Sequence, residues 1–62
     1  MDKVKMQRIL DRIISLEEEV ENMYYTESGE NGEIQNDTVT GLDTLKDNIR
    51  DARSTIKEYR LV

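Results

Sequence analysis

The chain has 62 residues with no cysteine, histidine or proline, and its formal charge is −5. That length makes one small domain whose core supplies roughly 3–5 kcal/mol unaided, and disulfides and thiolate or imidazole metal sites are excluded. Stability must then come from close helix packing or from a second subunit. The charge is uneven: residues 1–16 sum to +2, residues 17–37 to −8 and residues 38–62 to +1. This lacks the basic excess of a general nucleic-acid binder. No apolar run is long enough to span a membrane and no leader-like segment opens the chain, so a cytoplasmic location is expected.

In chain order, Asp2 is a fitting N-cap for a first helix over about residues 3–25. Apolar residues recur at Met6, Ile9, Ile13, Leu16, Val20 and Met23, a heptad spacing that predicts one buried stripe. With Met6 at position a, the e row is Leu10, Glu17 and Tyr24, and the g row includes Lys5, Arg12 and Glu19. Leu10 and Ile14 lie four apart on a flanking face, which gives the helix a wider apolar surface than a simple hairpin requires.

Residues 26–37 read as an acidic connector, with Gly29, Asn31, Gly32 and Asn36 as turn formers. A short β-hairpin turning at Asn31-Gly32 is the alternative for this stretch. The segment Glu27–Thr38 also resembles an EF-hand calcium loop, with Asn31, Gly32 and Ile34 at its fifth, sixth and eighth positions. It departs at Glu27, where the family has Asp, at Gly29, which has no ligand atom, and at Thr38, where a bidentate Glu belongs. A solvated acidic loop is the plainer expectation, and no cofactor or metal is assigned.

A second helix is expected over about residues 38–60, with Thr40 and Asp43 forming a capping box at its start. Its apolar stripe is Leu42, Leu45, Ile49, Ala52, Ile56 and Tyr59, again at heptad spacing. Lys46, Arg53 and Arg60 form a basic e row. Folding the chain at the connector pairs Met23 with Val39, Val20 with Leu42, Leu16 with Leu45, Ile13 with Ile49, Ile9 with Ala52 and Met6 with Ile56. The expected fold is therefore an all-α antiparallel helical hairpin in a single domain over residues 1–62, dimerising into a four-helix bundle.

Function is less legible than fold. No Ser, Cys or His arrangement suggests a nucleophile with its base, and a thin hairpin offers no cleft, so the chain does not read as an enzyme. Leu10, Ile14, Tyr24 and Tyr25 are the candidate surface for a dimer or heterologous partner. The run Glu17-Glu18-Glu19-Val20-Glu21 could imitate a phosphate backbone, although a solvated helix face is the simpler reading. The basic e row could contact nucleic acid, and a hairpin dimer carrying it resembles the Rop family of RNA-binding four-helix bundles in architecture alone. Pairing of that row with Glu17 or Glu19 is the favoured expectation. The reading that results is a small regulatory protein, of the kind found in bacteria and phage, that binds another protein such as a transcription regulator, polymerase component or defence enzyme. The alternatives are a nucleic-acid-binding bundle and a structural oligomerisation element.

Overall fold

A computed structural model describes residues 2–62 as two long helices, α1 over Lys3–Ser28 and α2 over Asp37–Glu58. They pack antiparallel, and no strand occurs among the described residues. The hairpin is a rod of 44 × 16 × 16 Å. Its accessible surface is 4849 Å², against roughly 4,200 Å² for a compact monomer of this mass.

Local chemistry explains each helix end. Asp2 caps α1 by accepting from the backbone N–H groups of Val4 and Lys5 at 2.9 and 3.2 Å. The helix continues one turn past its expected end and stops at Gly29, whose φ of +83° suits a residue without Cβ. A Cβ at Gly29 would also stand 2.6 Å from Glu33 Oε1. The connector is then short, closed by bonds from Gly32 N–H to Gly29 C=O and from Ile34 N–H to Ser28 C=O. Asn31-Gly32 turns within this loop, without flanking strands.

α2 begins earlier than the Thr40–Asp43 pattern predicts. Asn36 is the N-cap, its side chain accepting from Val39 N–H at 2.9 Å. At the other end Arg60 N–H bonds to Lys57 C=O and Leu61 N–H to Ile56 C=O, with Arg60 left-handed at φ +53°. That is a Schellman close, here made without glycine. Tyr59 is the C-cap, its N–H still bonded to Thr55 C=O, and it is exposed rather than part of the hairpin's core.

The helices meet on faces rotated from the predicted ones. Buried are Leu10, Glu17, Val20 and Ser28 on α1 and Val39, Ile49 and Ile56 on α2. Half-buried between them are Met6, Ile13, Tyr24, Leu42, Lys46 and Arg53. Apart from Ser28, these are a and e positions of the two heptads. The order of burial sets Leu10 level with Ile56, Glu17 with Ile49, Val20 with Lys46 and Tyr24 with Leu42, about one turn from the predicted register. The d row stays outside: Ile9 is 43 % exposed, Leu16 46 %, Met23 54 % and Leu45 44 %, and Ala52 is exposed as well. Each helix carries an apolar arc over d, a and e that is wider than one neighbour can cover. The hairpin covers the a–e side, where Glu17 of α1 meets Arg50 and Arg53 of α2 and Tyr24 meets Lys46.

Candidate functional site: an unpartnered apolar face

In an antiparallel pair, equal heptad positions flank the seam on the same side. Both d rows therefore emerge on one face of the rod. Ile9, Leu16 and Met23 run along α1, and Leu45 and Ala52 run beside them on α2, with Tyr59 just beyond its end. The register inferred from burial and from the Glu17–Arg50 pair sets Leu16 opposite Ala52 and Met23 opposite Leu45. On the outer edge of α1, Asp11, Arg12, Ser15, Leu16 and Glu19 line a shallow, open depression. These exposed apolar side chains have no partner among the described residues of the hairpin.

The opposite flank is electrostatic. Glu17 is only 7 % exposed, between two arginines of α2. Its Oε2 lies 2.8 Å from Arg53 Nη1, off line for a hydrogen bond, and its Oε1 lies 3.5 Å from Arg50 Nε. Arg50 also donates from Nη2 to Glu21 Oε1 at 2.6 Å. That hydrogen bond holds the Arg50 guanidinium above its ordinary range, against the cost of desolvation and with help from the Glu21 charge and from Glu17. Lys46 sits 4.6 Å above the Tyr24 ring while pairing with Asp43 at 3.2 Å, and Tyr25 meets Tyr24 edge-on.

The four residues expected to form a partner surface are thereby separated. Leu10 is buried inside the hairpin at 6 % exposure, so it cannot line an outer patch with Ile14. Tyr24 is half-buried beneath Lys46. Only Ile14 and Tyr25 face solvent, on different parts of α1. Of the expected seam, Met6, Ile13, Val20, Leu42, Ile49 and Ile56 face the other helix, whereas Ile9, Leu16, Met23, Leu45, Ala52 and Tyr59 are exposed. Glu17 does pair with the basic row, through Arg53; Glu19 does not, and Lys46 is taken up by Tyr24 and Asp43.

Residues the periodicity alone missed are Glu17, Lys46 and Arg53 as seam members. The signal was present in the e rows, which lie on the same side of an antiparallel pair and here set one glutamate, Glu17, against the basic residues of α2. In the connector, Glu27 belongs to α1, and Glu33 turns back to accept from Asn31 N–H at 3.1 Å. Among the described residues no three acidic side chains converge as metal ligands. No helix of the described residues is long and apolar enough to cross a membrane.

No protein-family model, curated protein or solved structure matches the chain. The geometry of the hairpin alone carries its functional reading.

Proposed function

We propose that this chain is a non-catalytic binding protein whose working form is a homodimeric four-helix bundle, and that the bundle regulates another protein by holding it. The observation behind the dimer is the exposed stripe of Ile9, Leu16, Met23 and Leu45. One face of a 44 × 16 Å rod offers about 700 Å² per copy, which falls within the range of stable interfaces. Two copies would complete a four-helix core in which the a and e residues pack within a hairpin and the d residues between hairpins.

The surface left for a target is the connector end. There Tyr25 and Ile34 remain exposed beside Glu27, Glu30 and Glu33. An apolar anchor ringed by acid suits a target patch of apolar and basic residues, and occupying that patch would favour one state of the target. Transcription regulators, polymerase components and defence enzymes all offer such basic surfaces.

Light scattering in the tens of micromolar range should return about twice the 7.3 kDa chain mass, and Leu16→Glu should return a single chain. A native protein that stays monomeric there sinks the bundle. For the regulatory half, immobilised dimer should retain one stoichiometric protein that is lost when Tyr25 and Ile34 are both changed to Ser. Retention indifferent to that change would place the target surface elsewhere.

A further inference from the structure

We infer that the second copy lies antiparallel on the apolar stripe, with its connector over the first copy's chain ends and the twofold axis passing beside Leu16 and Ala52. This rests on the dimer proposed above and fixes its geometry. The d row of α1 is symmetric about Leu16, with Ile9 seven residues before it and Met23 seven after. The d row of α2 is symmetric about Ala52, with Leu45 and Tyr59 at the same spacing. Since the register inferred from burial sets Leu16 and Ala52 opposite each other across the hairpin, one half-turn superposes both rows on themselves. Leu16 meets the partner's Leu16, Ala52 the partner's Ala52, Ile9 the partner's Met23 and Leu45 the partner's Tyr59. Two large and two small side chains share the central layer, as close packing of four helices requires.

A parallel dimer would also bury the stripe, so charge decides between the two. Arg12 and Glu19 stand on the g edge of α1, four before and three after Leu16. Both are exposed, and neither is ion-paired with a described residue. The half-turn brings Arg12 to the partner's Glu19 and Glu19 to the partner's Arg12, giving two pairs flanking the axis. The surface of α1 around these two residues, with Asp11, Ser15 and Leu16, is shallow and open. In the parallel arrangement the same edge would face the uncharged Thr55 and Asn48. Parallel packing would also stack two acidic connectors at one end. The antiparallel one sets each connector, with Glu27, Glu30 and Glu33, against the Lys3, Lys5 and Arg8 end of its partner.

The test is a charge exchange read by sedimentation equilibrium. Arg12→Glu and Glu19→Arg each break two pairs and create two repulsions, so each alone should weaken the dimer about tenfold or more. The double variant should return to within about threefold of native. Mixing the two single variants should yield a heterodimer tighter than either homodimer, which also shows that both variants fold. A double variant as weak as the product of the singles, with no heterodimer on mixing, overturns the antiparallel geometry while sparing the dimer. A native chain that sediments as a monomer removes the dimer itself, and the orientation with it.

Discussion

The two long faces of this hairpin are used in an unexpected way. The face turned inward carries a carboxylate, Glu17, at 7 % exposure, with two arginines drawn over it. The face turned outward carries Ile9, Leu16, Met23 and Leu45, each more than two-fifths exposed. A chain evolving only to be a stable monomer would gain by reversing that choice, because apolar burial contributes about 25 cal/mol per Å² whereas a buried charge must first recover its hydration. The arrangement makes physical sense if the outward face is covered by something else. On the proposed dimer, the charged seam would select which faces of each helix meet inside one chain and leave the apolar stripe for a neighbour.

The largest way to test this contrast is to cut each face in turn. Ile49→Ala removes a buried side chain from the inner seam and should cost about 2–4 kcal/mol at any protein concentration. Leu16→Ala on the outer face should instead act through association. The native melting temperature should rise with protein concentration, and the variant should flatten that dependence. Thermal melts by circular dichroism at two concentrations a hundredfold apart separate these outcomes. If Leu16→Ala lowers the melting point equally at both, the outer face is not an interface.

A smaller effect tests where the second helix begins. Asn36→Ala should cost about 1 kcal/mol, because the side chain that accepts from Val39 N–H is lost. Thr40→Ala should change little, since Thr40 lies inside α2 and its backbone N–H already bonds to Asn36 C=O. Chemical denaturation of both variants checks this. A larger loss at Thr40 than at Asn36 would restore the later start that the Thr40–Asp43 spacing suggests.

That spacing is one instance of how far the sequence could be read. Two helices, their antiparallel order and the acidic connector follow from heptad repeats, turn residues and the absence of proline. The choice of face does not, because Met6, Ile9 and Leu10, like Ile13, Ile14 and Leu16, spread apolar side chains over a wide arc. Periodicity places the centre of such an arc but cannot say which flank a single neighbour will take. The tie is broken by Glu17 against Arg50 and Arg53, and by Lys46 against Tyr24, which are pairings between helices rather than patterns within one. The same rotation moved Leu10 from the expected partner surface into the interior and moved Leu16 out. Both residues were thus visible in the sequence as apolar, but not which of them the hairpin would bury.

The subtlest prediction concerns Glu17 itself. Glu17→Leu should leave stability within about 1 kcal/mol of native, or raise it, since a well-packed apolar replacement of a buried ion pair is often neutral or stabilising. Arg50 keeps Glu21 as a partner at 2.6 Å, and Arg53, already partly exposed, can turn to water, so neither is stranded. What should be lost is uniqueness. With Leu10, Leu at position 17 and Tyr24 on the e row, the a–e and a–d faces of α1 become nearly equal in apolar character. The opposite charges that selected between them are then gone, much as a single polar core residue fixes register in coiled coils. Amide correlation spectra should show one set of peaks for the native chain and doubled or broadened peaks along α1 for Glu17→Leu, at unchanged helical content. A single sharp set with native shifts at Leu10 and Leu16 would mean that packing shape, and not the buried charge, chooses the face.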